Sequence, residues 1–298
     1  MSQGKQIVKL DSHLHLWNPE SFTIPWLDGL DELNRIFNED MYLADTGNVD
    51  GAIYVEVDVD KSQRSEEIEV IGKLIASPDS PVCAMVAALD PVRNDIDSYL
   101  KELKDTVSHV AGFRQVLHTP EMPAGYCLSP DFVGGVQAIG AYGYSFDLCM
   151  RPTELSDATA LVRQCPETQF VLDHCGVPAI HSYDDDKQAY ETWKRNIVDL
   201  AALPNVVCKV SGLVTQAGDL SVTQPLLAEM LAYLKAHFGA DRLMFGSDWP
   251  VCTLSESAND WERRLEGLVE NWSLEEKSAL WGGTAKRVYL DPHKLSLK

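Results

Sequence analysis

The chain has 298 residues, 45% hydrophobic and 23% charged, with 19 Gly and 15 Pro spread along its length. That composition excludes disorder, collagen and coiled coil, and it leaves one large α/β domain or two ordinary ones. Subtracting 45 Asp and Glu from 25 Lys and Arg gives −20, the wrong sign for a nucleic-acid binder or an anionic membrane surface.

Residues 1–6 meet the first strand-like run with no apolar leader, and no apolar run approaches the thickness of a bilayer. Eight short β-branched runs follow in chain order, at 7–13, 51–57, 82–89, 110–116, 145–150, 169–174, 206–211 and 242–247. Helical periodicity fills most of the gaps, at 66–76, 95–107, 130–142, 154–164, 189–202, 221–238 and 257–271, with a last amphipathic segment at 274–288. Strands alternating with helices predict βαβ units, and eight of them in this length predict a single-domain (β/α)8 TIM barrel. A doubly wound sheet is disfavoured because no G-x-G-x-x-G or P-loop follows the first strand. The first connection, at about 16–50, is long for a compact domain. It holds Trp17, Pro25 and Trp26, so it is read either as a lid over the barrel mouth or as an insertion that only packs.

The seven cysteines, at 83, 127, 149, 165, 175, 208 and 252, contain no C-x-x-C pair. They predict neither a disulfide framework nor a thiolate zinc site, and a reducing cytoplasm is the expected location. Cys149 and Cys175 near strand ends read as small buried hydrophobes rather than nucleophiles.

In such a barrel the chemistry gathers where strands end. The first strand ends in His13-Leu14-His15, whose i, i+2 spacing turns both imidazoles to one face. The sixth ends in Asp173-His174 and the eighth in Gly246-Ser247-Asp248. Neutral imidazoles with an acid suit a catalytic zinc, so His13, His15, His174 and Asp248 are the candidate metal ligands. Asp248 doubles as candidate base, with the capping of the next helix as its plainer reading. Glu56 is read as a metal ligand, a partner for a histidine, a substrate contact or half of an ion pair. Arg114 and Lys209 are costly to bury alone. They either pair with Glu56 or Asp147 or hold an oxygen-rich substrate, and Arg151 is a weaker candidate of the same kind.

Six stretches fall in order along the chain: Asp11-Ser12-His13-Leu14-His15-Leu16-Trp17, Pro25-Trp26-Leu27, Gly112-Phe113-Arg114-Gln115, Val171-Leu172-Asp173-His174, Cys208-Lys209-Val210-Ser211-Gly212-Leu213 and Phe245-Gly246-Ser247-Asp248-Trp249-Pro250. Together they resemble the amidohydrolase-2 family of the amidohydrolase superfamily, nearest its sugar-lactonase branch of L-fuconolactonases and L-rhamnonolactonases. The resemblance implies a (β/α)8 barrel that opens a sugar-acid lactone, with Asp248 activating water and His174 beside it. It also implies a substrate pocket lined by Arg114 and Lys209, to which the strand-end reading adds Trp17 and Glu56. Where two-metal relatives bring a fourth-strand lysine or glutamate and a fifth-strand histidine, this chain has Arg114, Asp147 and Cys149. The resemblance therefore implies one zinc or none, and no organic cofactor. The expected partner is a small-molecule lactone, without nucleic acid or membrane; the oligomeric state is left open, a homo-oligomer included. A zinc-dependent decarboxylase of an unsaturated or aromatic acid is the alternative enzyme, and a catalytically silent binding barrel the alternative outside enzymes.

Overall fold

The computed structural model describes residues 7–178, 180, 187–216 and 220–291; the run expected to carry no leader, 1–6, lies outside them. Eight parallel strands form one sheet in sequence order: β1 Leu10–Leu14, β2 Gly51–Val55, β3 Val82–Ala88, β4 Val110–Val116, β5 Ser145–Cys149, β6 Gln169–Leu172, β7 Val206–Val210 and β8 Leu243–Phe245. The sheet curls until Leu14 bridges Trp249 just past β8, with His15 N donating to the Trp249 carbonyl at 2.8 Å and Asp248 N to the His13 carbonyl at 2.9 Å. The molecule is thus a nearly closed (β/α)8 TIM barrel of one domain, as its element rhythm predicts.

Helices return the chain between strands. Helix α1, Glu39–Asp45, lies within the long first connection, where Asn38 caps it by accepting from Met41 N. Helices α2 Arg64–Ala76, α3 Ile96–Thr106, α4 Pro130–Ala141, α5 Leu155–Gln164, α6 Lys187–Ala201 and α7 Leu220–Phe238 form the outer shell, completed by α8 Ala258–Leu268. Each lays one apolar stripe on the sheet: Leu161 and Val162 of α5, for example, are buried with Phe146 and Phe170 of the strands beneath. The final segment departs from the expected single helix. A five-residue helix, α9 Leu274–Ser278, opens on a Ser273–Glu276 capping box and then widens into two π turns, Ala279–Gly283 and Lys286–Leu290. Within the first of these turns Gly282 lets the Val8 carbonyl oxygen approach to where a Cβ would stand only 2.5 Å away.

Inside the barrel a smaller core joins Ile53, Val55, Ala84, Val86, Val171, Val207 and Met244 to Ala285, Val288, Tyr289 and Leu290, so the turn at Lys286–Leu290 plugs the lower end. Alternation then carries the strands upward. Val171 and Val207 point inward while Phe170, Leu172, Val206 and Cys208 join the outer core, which turns Asp173 and Lys209 inward as well. Apolar side chains floor the barrel, charged ones form the next layer, and the histidines open above them. Among the described residues, no helix is long and apolar enough to cross a membrane.

Candidate active site

The seam that closes the barrel also builds the site. Asp11, fully buried in β1, accepts hydrogen bonds from His13 N at 3.0 Å, Ser247 N at 2.8 Å and the Tyr42 hydroxyl at 2.9 Å. These bonds pin the end of β8 to β1 and set Asp248 against the two histidines. His13 Nε2 lies 3.1 Å from His15 Nε2, and the Asp248 Oδ1 stands 3.8 and 3.7 Å from those two nitrogens. His174 completes the group: its ring centroid is 4.5 Å from that of His13, and His13, His174 and Asp248 offer ligand atoms within 4.8 Å of one another. The structure therefore brings together all four residues expected to meet.

Backbone conformation holds two of them in place. His174 and Asp248 sit at φ +50° and +61°, left-handed positions that cost a non-glycine residue roughly 1 kcal/mol or more. Gly212, at φ +65°, is where the His174 ring comes closest, since a Cβ there would meet its Nδ1 at 2.7 Å. The same Nδ1 bonds the Ser211 hydroxyl at 2.9 Å, which leaves Nε2 for the cavity.

Charges below the histidines form a closed set. Lys209 is wholly buried; its ammonium donates to Asp147 at 2.6 Å, pairs with Asp173 at 3.0 Å and reaches His13 Nδ1 at 3.2 Å. Arg114 donates from Nε to Glu56 Oε1 at 2.6 Å, from one terminal nitrogen to the Glu56 carbonyl at 2.7 Å, and from the other to Asp173 at 3.2 Å. Burial alone would raise the Asp173 carboxyl, yet Lys209, His13 and Arg114 override it and hold it well below the usual range. Asp147 has fewer donors, so burial wins over Lys209 and pushes it up to about 6. Burial likewise keeps His13 and His15 well below the usual imidazole value and takes His174 down to about 4, so all three rings are neutral. Asp248, accepting no hydrogen bond from a described residue, is pushed well above the ordinary carboxylate range by burial.

These donors fit a single divalent cation. Neutral imidazoles and a carboxylate short of hydrogen bonds are donors that zinc takes, and His13, His174 and Asp248 alone would leave a fourth position open. Binding there requires a change of tautomer at His13. Lys209 has only N–H to offer, so its bond to His13 places the ring proton on Nε2, facing His15 Nε2; His15 Nδ1–H then donates to the Val55 carbonyl at 2.8 Å. A cation bound at His13 Nε2 would need that nitrogen's lone pair, and the proton would then stand on Nδ1 against Asp173 Oδ1, 3.4 Å away.

Above this group opens a cavity of about 480 Å³. His15, Arg114, Asp173, His174 and Asp248 line its floor; Trp26, Val57 and Asp58 form one wall; His118, Thr119, Cys149, Met150 and Arg151 form another, with Gly212, Thr215 and Gln216 opposite. Three expected substrate contacts stand elsewhere. Lys209 lies one layer beneath the floor, spent on Asp147, Asp173 and His13. Glu56, almost fully buried, lies behind Arg114 as its counter-ion, so the ion-pair readings of Arg114 with Glu56 and of Lys209 with Asp147 are the ones observed. Trp17 is buried against Phe37 and Trp26, its Nε1 on the Leu33 carbonyl at 3.1 Å, and Trp26 takes the wall position instead. Arg151 lines the cavity with its guanidinium turned to Glu154 at 2.9 Å and to the Thr119 and Met122 carbonyls. Cys149 faces His118 Nδ1 at 3.3 Å, but burial pushes its thiol to about 12, so it is no nucleophile. Asp58 is a wall residue that sequence reasoning missed, its one signal being a position just past the second strand; Asp173, on the floor, stands beside His174 in the strand-end motif but carries no assigned role there.

A barrel with a histidine pair on its first strand, a histidine on its sixth and an aspartate on its eighth defines an amidohydrolase-type site. Residues 10–290 match the amidohydrolase family, and the chain belongs to it. The chain is 33% identical to an L-fucono-1,5-lactonase of Burkholderia multivorans over 301 residues, 96% of this chain and 97% of that protein. A second L-fucono-1,5-lactonase, from Burkholderia ambifaria, is 30% identical over 94% of this chain and 95% of its own. Among solved structures, an amidohydrolase of Burkholderia multivorans with bound zinc superposes with a TM-score of 0.85 at 30% identity, covering 97% of this chain and all 100% of that one.

Proposed function

We propose that this protein hydrolyses a neutral, hydroxylated lactone of the sugar-acid class. The observation that bears most on this choice is the charge on the cavity wall. Its only cations among the described residues, Arg114 and Arg151, already face Glu56, Asp173 and Glu154, and its further acids are Asp248 and Asp58, the latter with Arg64 at 3.6 Å. A carboxylated substrate, as a decarboxylase needs, would enter against these acids and would have to break an existing ion pair to find a partner. A lactone bears no charge, and the named relatives act on a 1,5-lactone.

The chemistry follows from the floor. Asp248, made more basic by burial, takes a proton from water as the water oxygen attacks the lactone carbonyl carbon. The carbonyl oxygen becomes an oxyanion, towards which Arg114 still has N–H groups free of Glu56 and Asp173. As the oxyanion collapses, the ring C–O bond breaks and Asp248 returns its proton to the departing alkoxide. The products are the hydroxyl and carboxyl groups of the opened acid. His13, His15, His174 and Asp248 would hold one zinc ion, which supplies Lewis-acid polarisation and a more acidic water when bound.

A panel of sugar 1,5- and 1,4-lactones, followed by pH-indicator acidification alongside carbon dioxide release from aromatic acids, tests the proposal. Acidification with polyhydroxy lactones and no gas supports it. Gas release from an aromatic acid without lactone opening replaces it with the decarboxylase.

A further inference from the structure

One wall of the cavity has residues that the hydrolytic steps leave unused. Trp26 is partly buried there, its Nε1 donating to the Val57 carbonyl at 2.7 Å and its ring meeting Trp17 at 5.4 Å. The loop that brings it is fastened to the loop after β2: Asp60 N donates to the Thr23 carbonyl at 2.8 Å, and Thr23 N donates to Gln63 Oε1 at 2.7 Å. Beside it, Asp58 holds a left-handed φ of +50°. Its N–H donates at 2.7 Å to Glu56 Oε2, and the other oxygen of that carboxylate holds Arg114. The Asp58 side chain keeps 34% exposure, has Arg64 at 3.6 Å, and accepts no hydrogen bond from a described residue. A strained aspartate aimed into a cavity with acceptor capacity to spare, next to a fixed indole, is chemistry suited to a polyol. Hydroxyls donate to the carboxylate, and a C–H-rich ring edge packs on the aromatic surface.

We infer that Asp58 and Trp26 form the subsite that selects hydroxylated lactones over bare ones. Asp58 accepts hydrogen bonds from ring hydroxyls, and Trp26 covers the apolar edge of the same ring. Glu56 ties the two halves of recognition together, since one carboxylate positions both Asp58 and Arg114. The inference rests on the lactone-hydrolase reading for its substrate, but it concerns binding and is tested apart from turnover.

Binding of a 1,5-anhydroalditol, a cyclic polyol with no carbonyl to attack, is measured by titration calorimetry with the full chain. Kinetics of a hexono-1,5-lactone and of δ-valerolactone are measured in parallel. Asn tolerates the left-handed position, so Asp58→Asn preserves the backbone. Asn keeps one acceptor oxygen but loses the charge and the second oxygen, which should weaken the anhydroalditol about tenfold. The preference for hexonolactone over δ-valerolactone should fall by a similar factor, chiefly through KM; Trp26→Leu should weaken polyol binding as well, with Trp26→Phe recovering part of it. Unchanged polyol affinity and lactone preference in Asp58→Asn would overturn the subsite while leaving the hydrolase standing. Polyol binding that weakens in both variants, in a protein that opens no lactone, would keep the subsite and overturn the hydrolase. Neither binding nor turnover in the wild type would overturn both.

Discussion

Lys209 is the sharpest test of how the barrel's charges are arranged. Lys209→Met keeps the length of the side chain and removes the ammonium shared by Asp147, at 2.6 Å, and Asp173, at 3.0 Å. Asp173 retains Arg114 at 3.2 Å, whereas Asp147 is left with the Tyr289 hydroxyl at 2.9 Å. Breaking a buried pair on one side costs about 3–5 kcal/mol. The lower end applies here, because Asp147 already titrates at about 6 and can take a proton once the cation is gone. That raised carboxyl fixes the sign with pH: the native state of the variant binds more protons than the unfolded chain, so its stability falls as pH rises towards the folded pKa. At about 2–4 °C per kcal/mol, the melting temperature should drop by roughly 10 °C at pH 8 and by less at pH 6. Adding Asp147→Leu should recover at least half of the loss, since an apolar replacement of both partners leaves no orphan charge. Thermal melts at the two pH values, paired with lactone kinetics, decide the matter. An unchanged melting temperature with a tenfold rise in KM would refute the buried-counter-ion account and return Lys209 to the substrate.

Other consequences follow from single contacts. Gly212→Ala sets a Cβ against the His174 ring, where only 2.7 Å is available, so kcat should fall at least tenfold while the melting temperature falls by only a few degrees; wild-type kcat would show that the ring has room to move. Burial, reinforced by Glu56, lifts the Glu67 carboxyl to about 7, and its Oε2 is buried without a partner. The native state therefore holds a proton that the unfolded chain has lost, and stability should decline between about pH 4.5 and 7, by on the order of 2–3 kcal/mol from this group. Glu67→Gln, which keeps the acceptor for Tyr54 and Val57, should flatten that decline in melts across the range; an unaltered slope would assign it to other groups. Chelation should silence lactone opening and added zinc should restore it, with elemental analysis giving one zinc per chain; full activity in protein shown to be metal-free would assign the chemistry to the side chains alone.

Much of this architecture is legible in the sequence because short apolar, β-branched runs and polar strand ends are local signals. The spacing of His13 and His15 dictates a shared face, and His174 and Asp248 follow strands long enough to recognise. What the sequence hides depends on height within the barrel. Arg114 and Lys209 look alike as strand-end cations, but side chains of alternate strands stack in layers, and Lys209 falls in the layer below the floor. Register irregularities between β1 and β2 and between β3 and β4 also decide which side chains face inward, and a single sequence does not show them. The exchange of Trp17 for Trp26 on the cavity wall is a matter of loop packing: the indole bond to Leu33 draws Trp17 inward and the one to Val57 sets Trp26 at the rim. The amphipathic pattern of the last segment is continuous and predicts one helix; the approach of Val8 to Gly282 joins residues far apart in sequence, which no local pattern shows.

Hydrolysis in ¹⁸O-labelled water, comparing wild type with Asp248→Asn, addresses the mechanism at its source. One heavy oxygen should enter the carboxylate of the opened acid, and the variant should lose about 10²–10⁴-fold in rate while melting normally. Label in the hydroxyl group, or near-normal turnover without the Asp248 carboxylate, would contradict an aspartate-activated water attacking the carbonyl.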